Sequence, residues 1–451
     1  MTALEEQNKN IDGKAEQDAE VTAESSDKQN AQKKNKVVFF IKGKLNNMSD
    51  KYEQTLADND PVFLEKIHEK KPEDREKVLV RGGIDVYFLL IVIALALFGL
   101  VMAFSASSYF SYRETGDSLY YFKRHVTFLI IAALFTVPMI LFMRPKYWRP
   151  FGILVYAGSI VLLIAVLAIG MTGKGAQRWI DLGFITVQPS EIAKLGLIMF
   201  LSYIMSKNQK KIELNQRFGG QFKYGVLYPG IAIAIICGLV VLERHLSGLI
   251  ILGLLGLYIM FIGGTDKRWM LLIMAFGVVA VAVVLMFSGY AQERVNTWLN
   301  IEEADPQGSA WQNLQGLYAI GSGGFFGVGL GNSRQKYGYV AEPQNDFIFT
   351  IVCEELGFIG ALSVIVLFIL LILRGYKIAS KAPDRFCSLV VYGLTTKTAL
   401  QALLNIAVVT NSMPNTGISL PFFSSGGTAL ILQIIEMGII LSISRFSYVE
   451  K

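Results

Sequence analysis

Apolar residues in this chain run in long blocks rather than alternating or recurring on one face. From residue 86 onward the blocks fall at roughly 86–105, 125–143, 150–170, 190–206, 225–242, 246–263, 269–287, 346–373, 386–410 and 427–444. Each reaches about 18 residues or more, enough to cross ~30 Å of hydrocarbon as a helix. The pattern predicts an all-α polytopic membrane protein with ten transmembrane helices. A membrane barrel would alternate apolar and polar positions, which these blocks do not. Residues 1–80 are rich in Glu, Lys, Gln, Asn, Asp and Ser and lack periodic apolar positions. Such a segment buries too little surface to offset chain entropy and is expected to be a disordered tail, leaving 81–451 as the membrane domain. Within it, "KKNKVVFFIKGK" (Lys33–Lys44) reads equally as a lipid-surface contact or as plain tail.

The polar gaps orient the chain. Arg144, Lys146 and Arg149, then Lys207, Lys210, Lys211, Arg217 and Lys223, then "TDKR" (Thr265–Arg268) and "RGYKIASKAPDR" (Arg374–Arg385) fill alternate gaps. Basic residues accumulate on the cytoplasmic side, so both termini are expected there. The opposite side receives the gaps 106–124, 171–189, 288–345 and 411–426, of which 288–345 is by far the longest. A loop of that length on a compact scaffold is usually functional.

Composition adds little more. The chain is 53% hydrophobic and 17% charged, with a net charge of +6 that the sidedness of the basic loops accounts for. Cys237, Cys353 and Cys387 lie in apolar blocks, which suits neither a disulfide framework nor a zinc site. The polar first 80 residues show no cleavable signal peptide, and nothing in the pattern points to nucleic acid.

Ionisable groups inside spans are costly and draw attention. Asp346, Thr350 and Glu354 are spaced by four, as are Lys397, Gln401 and Asn405, so each trio shares one helix face. "QPSEIAK" opens the fourth block with Glu191 and Lys194 one turn apart, and Gln433 and Glu436 are spaced likewise in the tenth. Internal ion pairing through Glu191–Lys194 and Glu354–Lys397 would fix helix packing, and a packing role is the better reading of Lys397 and Glu436. Asp346, at the end of the longest loop, has two readings: Asn345 or Asp346 caps the next helix, or a partly desolvated carboxylate accepts a proton. Lys174 and Arg178 flank Trp179 at headgroup depth, where cations suit an anionic, diphosphate-bearing lipid head or simple interfacial anchoring. "GSGGFFGVGLGNS" (Gly321–Ser333) lacks the G-K-[ST] of a nucleotide loop and is read as tight turns packing against lipid or substrate.

Four blocks carry a resemblance: "GAQRWIDLGFITVQPSEIAKL", "LYAIGSGGFFGVGLGNSRQK", "EPQNDFIFTIVCEELGFIG" and "PNTGISLPFFSSGGTAL". Over about residues 86–446 the chain resembles the SEDS family (shape, elongation, division and sporulation), whose members are FtsW-, RodA- and SpoVE-type peptidoglycan glycosyltransferases. "NSRQK" is more similar to the division and sporulation branch. The resemblance implies a ten-span polymerase joining lipid II units at the outer membrane face. It places the family's essential aspartate on Asp346, as base for the acceptor sugar's 4-hydroxyl, with undecaprenyl diphosphate expelled and the anomeric carbon inverted. It places cavity residues on Arg178, Glu191, Lys194, Lys336 and Glu355, with Lys174 beside them as a substrate contact. It implies as partners a class B penicillin-binding protein beside spans 8 and 9 and other division proteins. It fixes no cofactor and leaves a divalent cation, Mg or Mn, open. The chain departs from the family at "ERHLSG" (Glu243–Gly248), Ala341, Gly316 and Ser425. A flippase for the same lipid-linked precursor is the alternative that the intramembrane polar residues suit, and a scaffold recruiting partners through its tail is a third.

Overall fold

The computed structural model describes residues 77–79, 83–173, 176–183, 185–213, 219–287, 289–301, 310–425, 427–446 and 448–450. The expected tail, apart from 77–79, lies outside them, as does Lys174. Two units are distinguished: Gly82–Ser447, and a small one formed by Met1–Arg81 with Tyr448–Lys451. In the small unit β1 (Lys77–Leu79) pairs antiparallel with the C-terminal strand Tyr448–Glu450, Val78 facing Val449. That pairing gives order to three residues of the expected tail.

In the large unit each of the ten apolar blocks forms a helix. They are α1 (Val86–Thr115), α2 (Tyr120–Phe142), α3 (Pro145–Ile169), α4 (Pro189–Lys207), α6 (Tyr228–Leu242, entered through a π-helical turn at Gln221–Leu227), α7 (Leu246–Ile262), α8 (Lys267–Phe287), α11 (Ile348–Ser380), α12 (Arg385–Val409) and α13 (Gly427–Ser444). Shorter helices α5 (Gln209–Glu213), α9 (Gly289–Leu299) and α10 (Trp311–Ser322) lie between them. A three-stranded meander, β2 (Met171–Gly173), β3 (Ala176–Asp181) and β4 (Thr186–Val187), connects α3 to α4. Among the described residues six helices are long and apolar enough to cross a membrane: α1, α2, α3, the Gln221–Leu242 helix, α11 and α13. α7 is apolar but shorter.

Local chemistry sets several ends. Asp85 caps α1 by accepting from the Phe88 N–H at 3.0 Å, and Gly116 closes it with φ 75°. α1 therefore runs through most of the gap expected at 106–124. Asp384 caps α12 through the Cys387 N–H at 2.7 Å. Both caps also hold arginines, Arg374 on Asp85 at 2.9 Å and Arg149 on Asp384 at 2.6 Å, so each carboxylate joins two elements.

α4 and α12 form the centre. α4 packs against α3, α6, α7, α12 and α13, and α12 also against α7, α10, α11 and α13. Both bury residues around their full circumference, as a core helix must. Close approach needs small residues: a Cβ on Gly196 of α4 would stand 2.9 Å from the Tyr156 Cα of α3. The outer helices expose apolar residues at helical spacing, Leu90, Ile93, Leu97 and Val101 on α1 and Leu362, Val366, Ile369 and Leu373 on α11. Their solvent is lipid.

The polar residues of the blocks turn inward and meet there. Lys397 of α12 pairs with both oxygens of Glu436 on α13, at 2.8 and 3.0 Å, and reaches Gln433 Oε1 at 3.3 Å. Gln433 in turn donates to the Thr398 hydroxyl at 3.0 Å. Glu191 and Lys194 of α4 pair at 2.6 Å. The other expected pair, Glu354–Lys397, is corrected: Lys397 is held by Glu436, and Glu354 faces the loop before α11. Breaking a buried pair strands one charge and costs about 3–5 kcal/mol, whereas replacing both members is far milder. Glu436→Ala is therefore expected to lower the melting temperature of the purified protein strongly, and Glu436→Met with Lys397→Met to recover most of the loss. A Glu436→Ala variant as stable as the parent would remove the pair from the packing account.

Candidate active site

The two adjacent acids of α11 explain the loop ahead of it. Glu354 accepts from the Ser333 hydroxyl at 2.5 Å and from the Arg334 N–H at 2.9 Å. Glu355 accepts the Ser105 hydroxyl of α1 at 2.7 and 2.6 Å, the Ser333 N–H at 3.3 Å and the Lys336 ammonium at 2.8 Å. Two carboxylates that would be costly alone inside a membrane protein thus become the anchor of residues 333–336. The backbone completes the anchor. α11 breaks at Gly357, with φ 68° and ψ −162°, and the loop bonds into the break: Val328 N–H to Glu354 O and Gly329 N–H to Glu355 O, both at 3.0 Å, with Phe358 N–H to Gly324 O returning. A Cβ on Gly327 would stand 2.2 Å from Glu355 O. The glycine-rich stretch is a tight fit against α11.

This arrangement holds Lys336, which the resemblance names as a cavity residue, inside the anchor. Its side chain is 3% exposed, and its ammonium donates to Gly331 O at 2.7 Å, to Ser105 at 3.2 Å and to Glu355. All three donors of a lysine are thereby engaged. Glu355, carried with it as a cavity residue, is fully buried on the same partners.

Asp346 stands outside the helix. α11 begins at Ile348 with Phe347 as its cap residue and no side-chain cap, so Asp346 neither caps it nor shares a helical face with Thr350 and Glu354; the expected block 346–373 is corrected at its start. The Asp346 backbone is fixed from α12: Asn405, near the helix end, donates to Asp346 O and to Ile418 O, each at 2.7 Å. On the preceding residue, Ser424 donates to Asn345 O at 2.8 Å and Ser425 to Asn345 Oδ1 at 2.7 Å. The half-buried carboxylate faces Gly417, where φ is +68° and a Cβ would lie 3.3 Å from Asp346 Oδ2. Two of the departures from the family serve this spot. Ser425 holds Asn345, and Gly316 of α10 makes room for the Phe347 ring, which an added Cβ would meet at 2.9 Å.

A third group gathers at the start of α4. Arg178 on β3 donates to the Arg244 carbonyl at 2.5 Å, tying the strand to the turn between α6 and α7. In that turn Arg244 adopts φ 55°. His245 Nδ1 lies 3.2 Å from the Ser190 hydroxyl, next to Glu191 and Lys194. Burial, together with Arg178 and Lys194, pushes His245 down to about 3, so its ring is neutral at physiological pH. Burial pushes Glu243 up to about 8, against the pull of Arg178. Its side chain is 1% exposed, and both carboxylate oxygens are without a hydrogen-bond partner among the described residues. Below, Glu191, Lys397, Gln401 and Gln433 line a cavity of about 10 Å³ roofed by Ser419–Phe422, room for about one water. Among the described residues, no three metal-ligating side chains converge.

Asp346, Arg178, Glu191, Lys194 and Lys336 were all accessible to reasoning by residue type; their division into three groups was not. Ser105, in an apolar block, and Ser333, in the glycine-rich loop, escape it because a serine carries no charge signal; Asn405 was visible as a polar position of its block but not as the donor to Asp346 O. Glu243 is visible only as part of the irregular "ERHLSG".

Comparison with known proteins bears on the chain as a whole. A family profile described as cell cycle protein (FtsW, RodA, SpoVE) matches residues 85–449. A probable peptidoglycan glycosyltransferase FtsW of Trichlorobacter lovleyi is 36% identical, over 80% of this chain and 93% of its own. Stage V sporulation protein E of Bacillus subtilis is also 36% identical, over 80% of this chain and 97% of its own. Among solved structures, the rod shape determining protein RodA of Thermus thermophilus shares the fold at TM-score 0.59 and 24% identity, covering 80% of this chain and 97% of that one. A chain from a peptidoglycan synthase complex that coordinates polymerization and crosslinking matches at TM-score 0.65 and 26% identity, covering 80% and 98%. Matched over most of its length by that family profile and by relatives at 36% identity, the chain belongs to the FtsW/RodA/SpoVE family of cell cycle proteins.

Proposed function

We infer that this protein is a multi-pass peptidoglycan glycosyltransferase of the cytoplasmic membrane, polymerising lipid II into glycan strands. Family membership supports the activity. The observation that carries the assignment of chemistry is the setting of Asp346: held by its backbone, free of helix capping, and half-buried at the junction of α12 and the 411–425 loop. Its carboxylate accepts the proton of the acceptor 4-hydroxyl as that oxygen attacks the donor's anomeric carbon, with inversion and departure of undecaprenyl diphosphate. Arg178 faces the diphosphate, as a planar guanidinium suits. Lys174, outside the described residues, would add a second cation there. Glu191, paired to Lys194, lines the cavity below.

The ten helices are read as ten spans with both termini cytoplasmic, which puts Asp346 and Arg178 on the outer face. Septal synthesis follows the FtsW-like branch, alongside other division proteins. The partner, by analogy with the synthase complex, is a class B penicillin-binding protein next to α11 and α12. A flippase would need an open polar track, and here Lys397, Glu436 and Gln433 are bonded to one another around space for one water.

Asp346→Asn keeps size but loses the base, so lipid II polymerisation by the purified protein is expected to fall by about 10²–10⁴-fold with unchanged melting temperature. Near-parental turnover would return Asp346 to a structural role. Arg178→Gln is expected to raise KM for lipid II with little effect on kcat or stability; an unchanged KM would separate Arg178 from the substrate. For the anchor, Glu355→Gln retains hydrogen-bonding and is expected to keep more activity and stability than Glu355→Ala. Equal, complete loss in both at parental stability would mean that the Glu355 charge itself takes part in the reaction.

A further inference from the structure

Among the described residues, Glu243 is the acid near the start of α4 that is buried without a hydrogen-bond partner. Buried carboxylates are ordinarily bonded, and an exception calls for a reason. Glu354, Glu355, Glu191 and Glu436 all obey that rule; Glu243 has no partner for either oxygen among the described residues. The groups that face it are few. Arg178 approaches from β3 and is, among the described residues, the charge that acts on it. Arg244 and His245 share its turn, and the nearby Glu191–Lys194 pair on α4 is internally neutral, with His245 uncharged against Ser190.

Arg178 has therefore two acceptors within one turn: the Arg244 carbonyl, which it holds, and the Glu243 carboxyl, which it does not. A neutral acid offers the guanidinium little, while a carboxylate in that buried place would draw it strongly. We propose that Glu243 is a positioning residue for glycosyl transfer: its neutral carboxyl leaves Arg178 on the Arg244 carbonyl and turned to the lipid diphosphate, and its ionisation withdraws Arg178 from the substrate. The proposal rests on Arg178 as a diphosphate contact. Because burial holds Glu243 protonated to about pH 8, the neutral arrangement prevails at physiological pH and fades above it.

The test is lipid II polymerisation by the purified full-length protein, with KM and kcat measured from pH 7 to 9.5 for the parent and for Glu243→Gln. A single ionisation near pH 8 that abolishes binding raises KM about tenfold between pH 7 and 9. The parent is expected to show that rise, and Glu243→Gln, permanently neutral, to remain flat, with the two kcat profiles parallel. A flat parental KM overturns the proposal without recourse to any variant, as does a Glu243→Gln profile that rises with the parent's. Arg178→Gln at pH 7 separates the two layers. A raised KM there, with coincident parent and Glu243→Gln profiles, leaves Arg178 at the diphosphate and removes Glu243 alone; an unchanged KM removes both.

Discussion

A charge inside a membrane protein has to find its counter-charge or hydrogen bonds within the protein, because lipid supplies neither. That requirement organises this molecule. Lys397 closes on Glu436, Lys194 on Glu191, and Lys336 on Glu355. Each pair spans two elements or two turns, so neutralising the charges also fixes where helices and loops stand. Lys397–Glu436 binds α12 to α13 in the centre. Lys336–Glu355, with Ser105, binds the glycine loop to α11 and α11 to α1.

The same requirement sorts structural charges from reactive ones. Glu354 and Glu355 are the more conspicuous acids of α11 by sequence, but their oxygens are occupied and buried. Their work is to fix residues 333–336, from which the chain runs to Asp346. The backbone at Asp346 is also fixed, through its carbonyl on Asn405 and through Asn345 on Ser424. A base has to change protonation during turnover, so the proposed base gains from a position fixed through its backbone.

The ten helices were legible from apolar blocks because each block is nearly uninterrupted and bounded by polar gaps; boundaries agree within a few residues except where α1 continues to Thr115 and α11 to Ser380. Lengths and hydropathy could not reveal the break at Gly357, since the residues around it are ordinary helix formers and the cause is backbone bonding from the distant Gly324–Gly329 segment. The pairing of charges was legible only where partners share a helix, as with Glu191 and Lys194. Lys397 lies as plausibly beside Glu354 as beside Glu436 in sequence, and packing of α12 on α13 decides it. Asp346 was legible as a candidate, but its supports, Asn405 and Ser424, come from elements far along the chain.

The central claim is the proposal that Asp346 and Arg178 meet the substrate, with Lys336 and Glu355 held together in the anchor of the glycine loop. A structure of Asp346→Asn with lipid II and a glycan acceptor bound tests it most directly. The account predicts the residue 346 side chain within about 3 Å of the acceptor 4-hydroxyl, Arg178 on the diphosphate, and Lys336 still on Glu355. Lys336 found on the diphosphate, or an acceptor hydroxyl seated against another carboxylate with residue 346 remote from it, would contradict it.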